Sequence, residues 1–168
     1  MKIQLRPLTL GDASDLATHA NNVKIAQNLT NQFPHPYSLE NANQFISMMM
    51  DKTPPNVLAI EVDGALAGAI GVHPQEDIWR NNAELGYWLA EPYWGKGITT
   101  EAIKKIVSYG FEHFDVNRIF ARPFGRNAAS KRVLEKAGFK HEATLSGTIV
   151  KNGQVEDEII YAVRRMRN

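Results

Sequence analysis

Apolar residues recur along the chain in two rhythms, one of period two and one of period three to four, and the switch between them marks out the elements. Ile3 and Leu5 alternate with polar neighbours and predict a first strand that stops near Pro7. Thr9-x-x-Asp12 is a capping pattern, and Leu16, Ala17, Ala20 and Val23 follow at helical spacing. The two prolines of Phe33-Pro-His-Pro-Tyr37 exclude regular helix, because each lacks an N–H and constrains the residue before it. Ser38 then offers a cap. Leu39, Ala42, Phe45, Ile46 and Met49 form one apolar face of a second helix, which runs to about Asp51 before Pro54-Pro55 ends it.

Val57–Val62 and Leu66–Val72 flank Asp63-Gly64 and predict a hairpin, since Asp-Gly suits the turn that matches strand twist. Asn81–Leu89 reads as the next strand. Ile98, Ala102, Ile103, Ile106, Val107, Gly110, Phe111 and Phe114 make the clearest amphipathic helix in the chain. Arg118–Arg122 is a short strand closed by Pro123, and Ser130–Ala137 a short helix stopped by Gly138. Two strands, His141–Val150 and Val155–Val163, meet at Lys151-Asn-Gly-Gln154, a second hairpin turn. The order is strand, two helices, three strands, helix, strand, helix, two strands. No linker, repeat or low-complexity segment interrupts it. A mixed α/β sheet with helices on its faces, in one domain over residues 1–168, is the simplest assembly.

Composition narrows the function. The 168 residues, 43% of them hydrophobic, suit one domain with a sizeable core rather than a disordered chain. A formal net charge of +1 gives no global attraction to nucleic acid or to an anionic membrane. With no cysteine there is no disulfide framework, thiolate zinc site or cysteine nucleophile. The opening Met1-Lys-Ile-Gln-Leu-Arg-Pro7 lacks the apolar core of a signal peptide, and no run approaches the ~18 apolar residues that span a bilayer. The expectation is a soluble cytoplasmic protein.

The densest chemistry lies in Glu84–Glu101, which reads as strand, glycine-bearing loop and first helical turn. Such a loop presents unpaired backbone N–H groups at the positive end of a helix dipole, where a phosphate can sit. A Walker A loop would need glycine where Ala90 stands and a hydroxyl residue where Gly97 stands. A dinucleotide fingerprint would need glycine at Thr100. Both established motifs therefore fail, so an NTPase is excluded. What remains is a Gly-x-Gly loop feeding a long helix, or an ordinary strand-to-helix turn.

At this point the residues resemble the GCN5-related N-acetyltransferases, in the branch of the ribosomal-protein N-terminal acetyltransferases (RimJ/RimL-like). The resemblance begins at Leu5-Arg-Pro-Leu-Thr-Leu-x-Asp12 and includes Phe33-Pro-His-Pro-Tyr37. It is strongest over Ala83-Glu-Leu-Gly-Tyr-Trp-Leu89 and Tyr93-Trp-Gly-Lys-Gly-Ile98 with Glu101-Ala102. It ends with Arg126-Asn-x-x-Ser130 and Val133-Leu-Glu-Lys-x-Gly-Phe139. It implies a mixed sheet of about six to seven strands, one splayed at a β-bulge, flanked by about four helices. It also implies acetyl-CoA as acyl donor and a primary amine as acceptor. A peptide N-terminus, an amino acid, a polyamine or an antibiotic would each serve as that amine. A coenzyme-A-binding module without turnover is the alternative of another class. A homodimer is consistent with the family.

The resemblance gives the diphosphate to the backbone amides of Gly95, Lys96, Gly97, Ile98 and Thr99, with the hydroxyls of Thr99 and Thr100 as further donors. Pro92 stands where the family has Gln or Arg, a departure that leaves the main-chain contacts intact. The strand Glu84–Leu89 is expected to splay, freeing the Leu89 N–H for the thioester carbonyl and its oxyanion. Asn127 matches the asparagine on the pantetheine arm, or caps the helix that follows. Leu134 stands where many members carry a tyrosine, and Ser130 matches a serine of RimL-like enzymes that would protonate the departing thiolate.

Amine attack requires the neutral amine. An α-amine, with pKa near 7.7–8.0, is roughly one-tenth neutral at pH 7, whereas a lysine near 10.4 is neutral about once in a few thousand molecules. An α-amine needs only modest help, from a carboxylate or an ordered water. Glu84 is the leading carboxylate, and His73 at the end of the neighbouring strand is the other candidate base. His19, His35, His113 and His141 show no metal-ligand spacing, so no metal is expected. Trp79 and Tyr87 are candidates for an acceptor groove, while Lys131 and Arg132 are either contacts to the adenosine 3′-phosphate or, the reading preferred, a solvated helix face.

Overall fold

The computed structural model describes residues 1–166. Seven strands form one mixed sheet in the order β1-β2-β3-β4-β5-β7-β6, with five helices. The strands are β1 Ile3–Pro7, β2 Val57–Val62, β3 Ala65–Pro74, β4 Asn82–Leu89, β5 Arg118–Ala121, β6 Lys140–Lys151 and β7 Gln154–Arg164. The helices are α1 Ala13–Ala20, α2 Val23–Ala26, α3 Leu39–Met50, α4 Ile98–His113 and α5 Ala128–Lys136. Neighbours β4 and β5 run parallel, and β1–β2, β2–β3, β5–β7 and β6–β7 antiparallel. Among the described residues no helix is long and apolar enough to cross a membrane.

The chain divides into two compact units. The first holds Met1–Gly71 and Tyr87–Ala102, and the second Val72–Gly86 and the chain from Ile103 onward. In the first, Leu8, Leu16, Ala20, Ala42, Ile46, Val57 and Ala59 share one core, with Phe33 and Trp88 packed against it. Side-chain hydrogen bonds hold the start of α3 and the turn before α1. Ser38 Oγ accepts from Asn41 N (3.1 Å), and Asn41 Oδ1 accepts from Ser38 N (2.9 Å). Asp12 accepts from Thr9 N (2.8 Å) while Arg6 holds both its oxygens, at 2.9 and 2.7 Å. The Arg6 guanidinium also bonds Glu61 on β2, so one cation joins the first strand, its neighbour and the turn before α1. These contacts hold the Asp12 carboxyl below the usual carboxylate range, the Arg6 bond being the largest cause.

One expected helix is two. Val23 does not continue α1, because Asn21 leaves helical geometry (φ −75°, ψ 69°) and Asn22 becomes extended (φ −146°, ψ 118°). Asn22 Oδ1 then accepts from Lys24 N (2.9 Å) and starts α2 afresh. Val23 is left 56% exposed. The helical spacing was genuine, but the Asn22 side chain competes with the ladder by capping a new helix, while Asn21 Oδ1 is taken by Tyr37 N (3.0 Å). This is why five helices stand where about four were expected.

Both hairpins turn as their sequences dictate. Asp63 (φ 49°) and Gly64 (φ 87°) join β2 to β3, and Asn152 (φ 51°) and Gly153 (φ 74°) join β6 to β7. Two positive φ values in succession give the turn whose twist matches the strands. Gly68 on β3 serves a different need. A Cβ there would lie 2.2 Å from Trp88 O and 3.0 Å from Leu89 Cα, so only a hydrogen lets β4 approach. Ala90 N donates to Ala67 O (2.7 Å) just beside this contact.

In the second unit one sheet face is apolar: Ala83, Ile119, Ala121 and Tyr161 are almost wholly buried. Gly110 of α4 allows close approach there, since a Cβ would meet Ile119 Cδ1 at 3.0 Å. The Tyr161 hydroxyl donates to Glu135 of α5 (2.7 Å), and burial with this bond pushes its pKa up to about 12.

Candidate functional site

The glycine loop belongs to the first unit and is built by its local sequence. Beyond β4, Glu91–Tyr93 makes a single 3-10 turn with Pro92 at its start. Trp94 Nε1 donates back to Leu89 O (2.7 Å), so the indole folds the loop onto the end of β4. Gly95 (φ 73°) and Gly97 (φ 77°) sit in left-handed conformation, which other residues adopt only with strain. A Cβ at either would meet nothing within 4 Å, so the glycines are there for backbone shape and the space before them is open. Gly95, Lys96 and Gly97 are exposed, Ile98 is buried, and Thr99 and Thr100 are half-buried.

Glu101 N donates to Gly97 O (3.2 Å), the first rung of α4. Helix geometry leaves the N–H groups of Ile98, Thr99 and Thr100 without a partner inside the helix. They face out of its positive end, which favours an anion. The Lys96 ammonium donates to Pro92 O (3.0 Å), so the side chain folds back along its own loop and its amide is the group presented by geometry.

The loop is tethered at two further points of the same unit. Glu91 accepts from Asn22 Nδ2 (2.8 Å) and pairs with Lys24 Nζ (2.5 Å), which together hold its carboxyl below the usual range. Tyr93 meets the His19 ring edge-on, with centroids 6.2 Å apart. The sequence reading assigned these residues no role. Asn22 and Glu91 are 69 positions apart and carry no local signature.

The second unit carries the candidate acid–base groups. β4 pairs with β5 over Asn82–Glu84 against Arg118–Phe120, and β4 itself runs on to Leu89. Glu84 stands at the last pair of this register, where β4 parts from its parallel neighbour. Both its oxygens are held by Arg122, Nε to Oε1 at 2.8 Å and Nη2 to Oε2 at 3.2 Å. This bond is the largest cause raising the Arg122 pKa, with Glu158 of β7 adding to it. Sequence reading had Arg122 only as a strand end. Nothing local to residue 122 indicates a partner on β4.

His73 lies near the end of β3. Gln75 N donates to Asn82 O (2.8 Å), which fixes the antiparallel register of β3 and β4 at this end. Two residues further, His73 falls directly opposite Glu84, and opposed residues project from one face. Protein packed round the imidazole lowers its pKa, and the Glu84 charge opposes that fall in part. The residue nonetheless retains an exposed surface.

Asn127 Oδ1 accepts from Ser130 N (3.1 Å) and caps α5. The capping role is therefore real, and it leaves the amide's Nδ2 group for any ligand role. Ser130 is half-buried in the first turn of α5. Lys131 Nζ donates to Gly125 O (2.7 Å), so this side chain braces the preceding turn rather than lying solvated. Trp79 is 61% exposed. Tyr87 is half-buried.

With this geometry in place, comparison with known proteins is direct. Residues 2–140 match the family model described as an acetyltransferase (GNAT) domain. A putative ribosomal N-acetyltransferase, YdaF, of Bacillus subtilis is 36% identical over 101 residues, covering 60% of this chain and 55% of the relative. The spermidine N(1)-acetyltransferase of Escherichia coli is 25% identical over 159 residues, covering 94% and 83%. RimL, a ribosomal L7/L12 alpha-N-protein acetyltransferase solved with coenzyme A, has the same fold. It superposes with a TM-score of 0.86 at 20% identity, over 98% of this chain and 94% of that one. The aligned stretch spans about half the length of the first relatives matched, 55%, 57% and 45%.

Proposed function

The chain belongs to the acetyltransferase (GNAT) family, and from that premise we propose that it moves acetyl from acetyl-CoA to a primary amine by direct attack on the thioester. One observation supports the acyl-donor half: an exposed glycine loop with open space at both glycines, feeding the first turn of α4, whose N–H groups have no partner inside the helix. In this reading the amides of Gly95, Lys96, Gly97, Ile98 and Thr99, with the hydroxyls of Thr99 and Thr100, hold the coenzyme A diphosphate. The Leu89 N–H donates to the thioester carbonyl and then to the oxyanion that forms as the amine adds, a donor placement worth roughly 10²–10³ in rate elsewhere.

Asn127 donates from Nδ2 to the pantetheine arm, its Oδ1 being committed to the helix cap. The Ser130 hydroxyl gives a proton to the departing thiolate. Glu84, oriented by Arg122, accepts a hydrogen bond from the incoming amine and offsets the positive charge that builds on nitrogen. The N–C bond forms as the carbonyl π pair moves onto oxygen, the pair returns as the C–S bond breaks, and over the reaction the amine loses one proton and the thiolate gains one.

A protein N-terminal α-amine is the proposed acceptor, supported by the name of the 36% identical relative and by the favourable α-amine pKa. A polyamine is the second reading, since a spermidine acetyltransferase matches over 94% of the chain. A homodimer in the cytoplasm completes the proposal, and the cysteine-free composition suits that reducing compartment. Thiol release from acetyl-CoA, measured against peptides, polyamines, amino acids and aminoglycosides, tests it. Transfer to free-N-terminus peptides supports the first reading and transfer to spermidine the second. Tight coenzyme A binding with no thiol release to any amine would make the protein a binding module instead.

A further inference from the structure

Glu84 is poorly placed to take the amine proton outright. Both its oxygens already accept from a guanidinium, at 2.8 and 3.2 Å, so the carboxylate is turned toward Arg122. The group directly across the sheet has no such tie. His73 stands opposite Glu84 on the same face, in the register fixed by the Gln75–Asn82 hydrogen bond, and part of its surface is open.

We propose that His73 is the catalytic base, taking the proton from the acceptor amine as nitrogen bonds the acetyl carbon, while Glu84 and Arg122 orient the amine beside it. This rests on the acetyltransferase reading. The step balances within the reaction: the amine proton passes to an imidazole nitrogen, the C–S bond breaks, and the thiolate is protonated separately. The imidazolium returns its proton to water.

The influences on the His73 imidazole have definite signs. Glu84 of β4 raises the imidazole pKa, while burial, the larger influence, lowers it. Arg122, at the end of β5, neutralises Glu84 and is itself influenced by Glu158 of β7. From its own strand, His73 contributes only its carbonyl, which accepts from the Gln75 side chain (3.0 Å). The balance leaves a neutral imidazole at pH 7, the form that accepts a proton.

The test is the pH dependence of kcat/KM for the wild type, His73→Gln and Glu84→Gln. The probes are acetyl-CoA with an octapeptide bearing a free α-amine and, separately, with spermidine. We expect His73→Gln to lose about 10²-fold in rate and to flatten the acidic limb, at unchanged coenzyme A affinity. Glu84→Gln keeps an acidic limb displaced to lower pH, because the carboxylate that raised the imidazole pKa is gone. His73→Gly regains activity on addition of imidazole. A His73→Gln enzyme with a wild-type acidic limb and rate overturns the assignment alone. A folded wild type that binds coenzyme A but transfers to neither probe overturns the acetyltransferase reading and this inference together.

Discussion

Arg122 grips Glu84 by both carboxylate oxygens, across 38 positions of sequence, at the point where β4 leaves its parallel partner. The guanidinium is 45% exposed and the carboxylate 28%, so the pair adds about 0–1 kcal/mol to stability. Its value lies in orientation. Arg122→Met is expected to leave the unfolding midpoint within a few degrees of wild type, to lower kcat about tenfold and to leave coenzyme A affinity unchanged. Thermal unfolding, steady-state kinetics and calorimetry on one preparation separate these outcomes. A midpoint that falls steeply would make the pair a structural device.

The loop assignment is tested at Gly97. A bulky residue there would strain the backbone as well as fill the space, so the two effects need separating. Asparagine tolerates left-handed φ better than other side chains, and a Cβ at this position meets nothing within 4 Å. Gly97→Asn is therefore expected to fold normally and to bind coenzyme A at least tenfold more weakly in calorimetry. Unchanged affinity in a folded variant would remove the loop from the diphosphate site.

Asp12 joins Arg6 to the turn before α1 and is 10% exposed at its side chain. Asp12→Ala leaves Thr9 N without its acceptor and Arg6 with only Glu61 and the Pro7 carbonyl, a loss expected near 2 kcal/mol by urea unfolding. The same contact has a pH signature. The folded Asp12 pKa lies below its unfolded value near 3.9. Its contribution is thus full above that pH and is lost as pH falls through the folded pKa. Acid unfolding of Asp12→Asn should show a shallower slope below about pH 4 than wild type.

Tyr161 gives the opposite signature at the alkaline end. Its folded pKa is pushed up to about 12, against about 10 when unfolded. Between those values the unfolded chain has released a proton that the folded chain retains, so stability falls as pH rises through this window. Tyr161→Phe should unfold less steeply with pH there. In wild type one tyrosine should ionise last in an absorbance titration.

Much of the architecture was legible because its signals are local. Asp63-Gly64 and Asn152-Gly153 encode their own turns, Gly138 its own helix stop, and Ile98–His113 its own buried stripe. The departure near Val23 came from the Asn22 side chain, which caps a new helix and which periodicity does not weigh. The shape of the glycine loop was legible for the same reason, since its glycines and the helix it opens are contiguous. The grouping of His73, Glu84 and Arg122 was not. His73 and Glu84 come from two strands and Arg122 from the residue after a third, and their convergence depends on registers that no short motif records. Asn127 shows the intermediate case: its cap was readable, and any contact with a ligand was not.

Gly68 has the last consequence. Because the Trp88 carbonyl occupies the place of its missing methyl, no missense change in that codon is sterically silent. Even alanine would push the chain outward just before Leu89, whose amide is the proposed oxyanion donor, so a variant there could lose turnover with every reacting group still in its sequence. Genetic screens for inactive alleles should therefore recover position 68 alongside the chemical residues, although it has no side chain with which to react.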